Sequence, residues 1–358
     1  MSSEQPDPKP TVRSVPVDTV RRTMIDVLTM MGAPEPIARC QAEHLVEGDL
    51  RGHPSHGLQR LPMLVARIRN GQIDPTTRGR HHWRGDALLQ VEGEAGFGPA
   101  VAVPAVEAIE ERATRQGIAL AAIRDANHLG MLAPYVEHLA ERGLVGVAWT
   151  TSEALVHPWG GTAAMVGTNP IAMAIPTSRD PVVLDLATGA ISRGKVLDHA
   201  NRDEPLPPGS VVDADGRPTT DPHLAVDGAI SPFGGPKGYA LGVGFELLVA
   251  ALTASAVGDD VVGTLDADER CNKGDVLLAV DPAIATGSAD RSHLDRFVAQ
   301  LRGVEPTDPA RPVGVPGDRA RATRERNLER GEVPISVAIW DQVLRIVHEL
   351  ELPQEGSS

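Results

Sequence analysis

The sequence predicts an α/β protein in which a central α/β region is flanked by helical segments from both chain ends. Apolar residues recur at helical spacing over roughly the first 70 residues, short apolar runs separated by glycine begin near residue 87, and helical texture returns after about residue 288. We expect a flexible tail at 1–11, a helical domain built from 12–85 and 290–350, an α/β domain at 86–289 and a second flexible tail at 351–358.

The first two helices follow from the spacing of apolar residues near the N-terminus. Val20, Met24 and Val27 lie three or four residues apart, and Gly32 ends the pattern. A second helix is predicted over residues 36–50. Both helices would bury one apolar face.

A third helix is predicted over residues 55–70, after the helix-breaking run at 52–54. Ser55 is the expected N-cap of this helix. His56 and Arg60 are four residues apart, so one helical turn would place them on the same face. A guanidinium binds carboxylates, and an imidazole exchanges protons near neutral pH. The pair therefore predicts a pocket for a small organic acid.

The central region contains short apolar runs that are typical of strands, with a helix predicted at 100–116 between the first two. The runs cover residues 88–91, 118–123, 145–149, 171–175, 182–186 and 277–280.

The remaining segments show helical or loop texture. The proline-rich stretch 201–230 predicts a long ordered loop, and 240–257 predicts a buried helix. Glu246 lies in that helix and needs a partner, because an unpaired buried carboxylate is unfavourable. Residues 288–303 and 320–349 are predicted to be helical.

The charge balance limits the possible partners. The chain has 34 Lys and Arg against 48 Asp and Glu, a formal charge of -14. This balance disfavours nucleic acid and anionic membranes, which require basic surfaces. A small anionic substrate would need local positive charge.

The cysteine content and the N-terminus favour a cytoplasmic protein. The two cysteines, Cys40 and Cys271, cannot form a disulfide framework or a cysteine-rich zinc site. Residues 1–10 are polar and proline-rich, which is unlike a signal peptide.

Several common motifs are absent from the sequence. No Gly-x-Gly-x-x-Gly follows a predicted strand, and there is no Gly-x-x-x-x-Gly-Lys-Ser/Thr. A dinucleotide, if bound, would not be held by an ordinary Rossmann turn. Twelve histidines raise the idea of a metal-dependent hydrolase, but no metal-ligand spacing such as His-Glu-x-x-His occurs, and no metal site is predicted.

Six sequence blocks together resemble the malate/L-lactate dehydrogenase family of NAD(P)-dependent oxidoreductases, which have a non-Rossmann fold. The resemblance runs from about Asp18 to Leu350, and the order of the blocks makes it specific. The blocks are Ser55-His56-Gly57-x-x-Arg60, Gly93 to Gly98, Asn127-His128-x-Gly130, Gly160-Gly161 with Gly167 to Pro170, Asp185 to Thr188, and Gly234 to Tyr239.

The resemblance implies hydride transfer between a nicotinamide and the carbon next to a carboxylate. His128 matches the proton-transfer histidine of the family, and Arg60 matches the residue that binds the substrate carboxylate. Ser55 and His56 are expected beside the substrate. The resemblance also implies a homodimer with its site near the subunit interface.

The resemblance implies NAD or NADP as the cofactor, with no preference between them. Small residues let backbone amides approach a pyrophosphate, and a lysine could neutralise a phosphate. The expected cofactor-binding residues are Ser152, Asp185, Leu186, Ala187, Thr188, Pro236, Lys237, Pro316, Gly317 and Asp318.

The chain departs from the family pattern at several positions. Leu64, next to Met63, stands where a tyrosine is frequent, which predicts a less polar substrate pocket. Thr151 and Gly189 replace an asparagine and a serine found in many members. Cys271 is expected to line the substrate pocket.

Three functions remain open at this point. The first is the interconversion of a 2-oxo acid and a 2-hydroxy acid, with His128 as proton donor and acceptor. The second is reduction of the carbon–nitrogen double bond of a cyclic imino acid. The third is a non-catalytic dinucleotide-binding protein.

Overall fold

The computed structural model describes residues 11–352, so most of both predicted tails lies outside the described residues. The strands are β1 Val12–Pro16, β2 Arg80–Arg84, β3 Leu88–Glu92, β4 Ile118–Arg124, β5 Val145–Thr150, β6 Ala154–Val156, β7 Val166–Gly167, β8 Ile171–Ile175, β9 Val182–Leu186, β10 Val211–Val212, β11 Pro218–Thr219, β12 Ala229–Ile230, β13 Gly274–Val280 and β14 Glu332–Ser336. The helices are α1 Val17–Met30, α2 Glu35–Leu50, α3 Leu61–Arg69, α4 Gly98–Gln116, α5 Ala133–Glu141, α6 Arg193–Arg202, α7 Pro222–Val226, α8 Pro236–Thr253, α9 Pro282–Thr286, α10 Ser292–Arg302, α11 Asp318–Arg330 and α12 Val337–Glu351.

The centre of the molecule is a seven-stranded sheet in the order β2-β3-β4-β13-β5-β8-β9. In this part of the described chain only β3 and β4 are parallel neighbours, and α4 connects them. The predicted α/β class and the six predicted strands are confirmed. A largely antiparallel sheet differs from the parallel sheet of a Rossmann fold.

A two-stranded ribbon joins the two ends of the chain. β1 and β14 are antiparallel, with Val15 opposite Val333. Both valines are buried among α1, α2, α3 and α12. The prediction of continuous helical structure over 320–349 was therefore wrong. Gly331 ends α11 with a φ of 67°, and the next five residues alternate between exposed and buried positions, which is the period of a strand.

The predicted third helix is also different in the structure. Two 3₁₀ turns, Pro54–His56 and Leu58–Arg60, precede α3. Gly57 separates them with φ −102° and ψ −147°, which no helix contains. The amide of Leu58 donates to Asp49 at 2.8 Å, so a carboxylate of α2 holds this break in place. His56 and Arg60 thus lie on different turns.

The segment 201–230 is more regular than the predicted loop. It contains α7 and three short strands, and β10 and β12 join β11, β6 and β7 in a five-stranded sheet. A separate apolar cluster that includes Val156, Val211 and Ile230 lies beneath this sheet.

The predicted buried helix over 240–257 corresponds to α8, which is buried on one side and exposed on the other. Glu246 has the expected partners, since it accepts from the amide of Gly167 at 3.2 Å and the side chain of Asn169 at 2.8 Å. The side of α8 opposite Glu246 exposes four leucines: Leu241 by 46%, Leu247 by 59%, Leu248 by 39% and Leu252 by 41%.

No helix among residues 11–352 is long and apolar enough to cross a membrane.

Candidate active site

A cavity of about 820 Å³ lies between the N-terminal helical layer and the central sheet. A pocket of this size accommodates a dinucleotide fragment or a drug-sized ligand. Nine of the predicted site residues line it, although they come from five separate segments of the chain. They are Ser55, His56, Arg60, His128, Ser152, Asp185, Leu186, Ala187 and Gly317.

The other predicted site residues do not line this cavity. Leu64, Thr188 and Cys271 are buried, and Leu64 belongs to the apolar core under α1 and α2. Pro316 and Asp318 flank Gly317 in sequence. Pro236 and Lys237 are exposed in the first turn of α8.

Met63, and not Leu64, faces the cavity from α3. The sequence analysis expects Leu64 at the substrate pocket, whereas the structure places it in the apolar core beside the cavity-lining Met63. The 3₁₀ turns before α3 change the phase of the helix relative to Arg60, because a 3₁₀ turn has three residues and an α-turn has 3.6. The pocket is nevertheless apolar at this place, since a methionine side chain occupies it.

His128 lies in the loop between β4 and α5, and its backbone is closely packed. A Cβ on Gly98 would lie 2.2 Å from the carbonyl oxygen of His128, so the start of α4 requires a glycine there. The amide of Gly130 donates to Nδ1 of His128 at 2.9 Å. The neutral ring therefore carries its proton on Nε2. Burial, followed by the charge of Arg60, holds the pKa of His128 well below its usual value.

Three side chains from different elements fix the rest of this loop. His44 of α2 donates from Nε2 to the carbonyl of Met131 at 2.8 Å and stacks on Tyr135. The hydroxyl of Tyr135 donates to the carbonyl of Leu129 at 2.7 Å. Asp185, at the end of β9, accepts from the amides of Leu132 and Ala133 at the start of α5. These bonds hold the imidazole of His128 against the cavity.

Asp185 also lines the cavity. Burial raises its pKa to about 6, although the two amides at the start of α5 lower it. One of its oxygens, Oδ2, accepts both amides. Its first role in the structure is therefore to cap α5.

Arg60 is a guanidinium without a carboxylate partner among residues 11–352. Its one side-chain hydrogen bond runs from Nη2 to the carbonyl of Thr264 at 3.1 Å. Burial lowers its pKa, but an arginine keeps its charge in proteins. Glu153 is close enough to act on this charge but forms no ion pair with it. A partly buried cation that faces a cavity without an ion-pair partner is suited to bind an anion.

His56 and Ser55 lie between Arg60 and His128. The ring centroids of His56 and His128 are 5.8 Å apart. Burial, followed by the charge of Arg60, lowers the pKa of His56 to about 4, so this ring is neutral at pH 7. Ser55 does not cap a helix as predicted, because its hydroxyl shares a hydrogen bond of 3.1 Å with Nδ1 of His56.

Arg67 connects the segments around the site and was missed by the sequence analysis. Its side chain is 3% exposed and donates to Asn127 Oδ1 at 3.1 Å, to the carbonyl of Asp266 at 2.6 Å and to that of Glu269 at 3.1 Å. Asn127 in turn donates to the carbonyl of Ala95 at 2.7 Å. No local sequence pattern could reveal these contacts, since the partners are 60 to 202 positions apart.

The loop that Arg67 holds forms one wall of the cavity through Thr264 and Leu265. One oxygen of Glu153 accepts from the amide of Thr264 at 2.6 Å, its hydroxyl at 3.0 Å and the amide of Leu265 at 2.9 Å. The same Thr264 provides the carbonyl that Arg60 contacts. Arg60 is therefore positioned by a loop that is itself fixed at several points.

The part of the cavity lined by Ser152, Asp185, Gly194 and Gly317 suits a nucleotide. Gly194 and Gly317 lie at the starts of α6 and α11, both of which line the cavity, and helix N-termini attract phosphate. In this respect the lining fits the predicted dinucleotide. Within residues 11–352, no group of three or more His, Cys, Asp or Glu side chains is placed to hold a metal ion.

Comparisons with known proteins identify the relatives of this chain. A family model described as malate/L-lactate dehydrogenase matches residues 15–344. A solved structure of a dehydrogenase from Sinorhizobium meliloti superposes with a TM-score of 0.89 at 47% identity, covering 94% of this chain and 98% of that chain. The predicted resemblance is confirmed.

Two relatives illustrate different reactions. The chain is 33% identical over 333 residues to the L-sulfolactate dehydrogenase of Methanocaldococcus jannaschii, covering 93% of this chain and 96% of the relative. It is 35% identical over 322 residues to the Delta(1)-pyrroline-2-carboxylate reductase of Pseudomonas fluorescens, covering 88% of this chain and 93% of the relative.

The buried Asp49, which holds the turn between His56 and Arg60, generates a prediction about stability. Burial raises its pKa from 3.8 to about 7, so the folded protein binds a proton that the unfolded chain has lost above about pH 4. Wild-type stability therefore falls as pH rises from about 4 to about 7. We expect Asp49→Asn, which keeps an acceptor for Leu58, to gain about 1–3 kcal/mol of unfolding free energy relative to wild type between pH 5 and pH 8.

Urea unfolding at the two pH values measures this difference. Asp26→Asn, at an exposed position of α1, is the control and should change stability by less than about 0.5 kcal/mol at either pH. A difference for Asp49→Asn that stays constant with pH would contradict the assignment.

Proposed function

Because the chain belongs to the malate/L-lactate dehydrogenase family, we propose that it is an NAD(P)-dependent oxidoreductase that interconverts a 2-oxo acid and its 2-hydroxy acid. The observation that carries this proposal is that Arg60, a cation without an ion pair among residues 11–352, and His128 face the same cavity. The two groups complement the two ends of a 2-oxo acid, a carboxylate and a carbonyl oxygen.

Arg60 binds the substrate carboxylate in this proposal. A charge-assisted contact of this kind contributes about 1.5–3 kcal/mol. Thr264 holds the guanidinium through Nη2, which leaves other donors of the fork for the carboxylate. The neutral His56 and the hydroxyl of Ser55 lie beside it and would orient the acid without a competing charge.

His128 handles the proton. When bound, the nicotinamide of the cofactor would supply a hydride to carbon 2 of the 2-oxo acid or accept one from carbon 2 of the 2-hydroxy acid. In the free protein the ring is neutral and offers Nε2–H to the carbonyl oxygen, because the amide of Gly130 occupies Nδ1. For reduction, the ring takes one proton from solvent at Nδ1, which replaces the hydrogen bond from the Gly130 amide, and the resulting imidazolium gives its Nε2 proton to the carbonyl oxygen. The negative charge of the bound carboxylate and of the developing alkoxide favours this imidazolium. Oxidation of the hydroxy acid reverses this transfer.

The cofactor would occupy the cavity beside Ser152, Leu186, Ala187 and Gly317. Asp185 would act mainly through the loop of His128, since it caps α5. Roles for Thr188, Pro316 and Asp318 remain proposals from the family resemblance. Pro236 and Lys237 are exposed on α8 and do not line the cavity, so they would contact only a part of the cofactor that extends beyond it.

Reduction of a cyclic imino acid is the second candidate, and the apolar side chains of Met63 and Leu265 at the cavity favour it. Ring methylenes would pack against these side chains. In that reaction Arg60 would keep its role, and His128 would face the ring nitrogen. A non-catalytic protein is the weaker alternative, because the cation and the imidazole are both held in place.

The reaction can be followed by the absorbance of NADH or NADPH with a panel of 2-oxo acids and cyclic imino acids. We expect Arg60→Gln to lower kcat/KM about 10- to 150-fold and His128→Ala to lower kcat about 10²- to 10⁴-fold. Arg22→Gln and His82→Ala, at exposed positions, are the matched controls. Full activity of either site variant would contradict its proposed role.

We also propose that the protein forms a homodimer through the exposed apolar side of α8. Four leucines of one helix are exposed there, and such a surface usually marks an interface. A cytoplasmic location is proposed as well, since Cys40 and Cys271 are both free thiols.

The dimer proposal predicts the effect of a charge on α8. Leu247→Glu should convert a dimer to a monomer in sedimentation velocity experiments, because a carboxylate would be buried without a partner. Leu344→Glu, at a similarly exposed position of α12, should leave the dimer intact. A monomeric wild-type protein, or a dimer unaffected by Leu247→Glu, would contradict the proposal.

A further inference from the structure

His53 and Arg319 line the mouth of the cavity, and Lys195 lies close to His53; we call these three residues the cationic rim after the two charges of Arg319 and Lys195. The loop 52–55, the start of α6 and the start of α11 meet there. A Cβ on Gly52 would be 3.3 Å from Thr323 of α11, and one on Gly194 would be 3.7 Å from Ser55. The charges of Arg319 and Lys195 are close enough to lower the pKa of His53, after the larger effect of burial.

The cationic rim adjoins the substrate end of the cavity without including its groups. His53 is close enough to His56 to lower its pKa, after the larger effects of burial and Arg60. The charged and imidazole groups that act on His128 are Arg60, His56, Lys273 and His44, and none of them belongs to the rim.

The rim side chains have no carboxylate partners among residues 11–352. Neither Lys195 nor Arg319 forms an ion pair there, and all three side chains are exposed. The neighbouring Arg51 shows the contrast, since it is bonded to Glu47 at 2.9 Å and to Glu137 at 2.7 Å. Uncompensated cations at a cavity mouth are notable in a chain of formal charge -14.

The two carboxylates that line the cavity have partners away from the rim. Glu137 is bonded to Arg51, and Oδ2 of Asp185 accepts the first amides of α5. A 2′-phosphate carries a charge of about −1.5 to −2 and therefore suits the cations of the rim better than a neutral 2′-hydroxyl does.

We propose that the protein prefers NADP(H) over NAD(H) and that Arg319, with Lys195 and His53, binds the 2′-phosphate of the adenosine ribose. This inference rests on the proposed function, since it concerns the dinucleotide of the same cavity. The starts of α6 and α11 add the positive ends of two helices to the same place.

Isothermal titration calorimetry with NADPH, NADH, 2′,5′-ADP and 5′-ADP tests the proposal without turnover. Wild-type protein should bind NADPH at least about tenfold more tightly than NADH, and 2′,5′-ADP more tightly than 5′-ADP. Arg319→Gln should weaken NADPH about tenfold or more and change the Kd of NADH less than about threefold. Arg330→Gln, on the last turn of the same helix, removes the same charge and should change neither Kd.

The possible results separate this inference from the proposed function. Equal binding of NADPH and NADH by the wild type, or an equal loss of both in Arg319→Gln, would overturn it, the latter assigning the rim to the pyrophosphate. Failure of the folded wild-type protein to bind any dinucleotide would instead contradict the proposed function itself.

Discussion

The buried guanidinium of Arg67 is the interaction on which the arrangement of the site depends. Arg67 belongs to α3, the helix that follows Arg60. Its guanidinium donates hydrogen bonds to Asn127, which is next to His128, and to two carbonyls of the loop that contains Thr264. Three segments that are distant in sequence are thereby fixed to one rigid planar group. Its hydrogen bonds are internal, so it supports the cavity without occupying it. Removal of this group would leave buried carbonyls without donors, which is unfavourable.

The distribution of charge around the cavity follows from this arrangement. Lys273 and Asp275 are fully buried and form an ion pair through Oδ1 of the aspartate, and Arg51 is held between two glutamates. Arg60 and the cationic rim have no such partners. The two histidines near Arg60 are kept neutral by burial and by its charge. In a protein with an excess of acidic residues, cations without an ion pair thus line the cavity where the proposals place an acid and a nucleotide phosphate.

The sequence was sufficient for the parts of the fold and site that depend on local patterns. The six strands follow from short apolar runs, and the family resemblance follows from short blocks such as those that contain Arg60 and His128, which both line the cavity. The break at Gly57 was not predictable, because it depends on a carboxylate of the preceding helix, Asp49. The same break sets which face of α3 meets the cavity, so that Met63 lines it and Leu64 does not.

Other features could not be predicted because they arise between distant segments. Arg67, Glu153 and Thr264 contact partners 60 to 204 positions away, and no spacing rule connects such residues. The strand β14 required its partner β1 from the opposite end of the chain. The apolar composition of α8 predicted a buried helix, although four of its leucines are exposed, because hydropathy alone does not distinguish a core from an exposed apolar surface.

Isotope transfer tests the central claim most directly. NADPH or NADH carrying deuterium at carbon 4 of the nicotinamide would be incubated with the protein and the panel of acids, and the products would be analysed by NMR. We expect deuterium at the carbon next to the carboxylate, in a 2-hydroxy acid or, for the second candidate, in a cyclic amino acid. A folded protein that binds the dinucleotide but transfers deuterium to none of these acids would contradict the assignment of Arg60 and His128 as its active site.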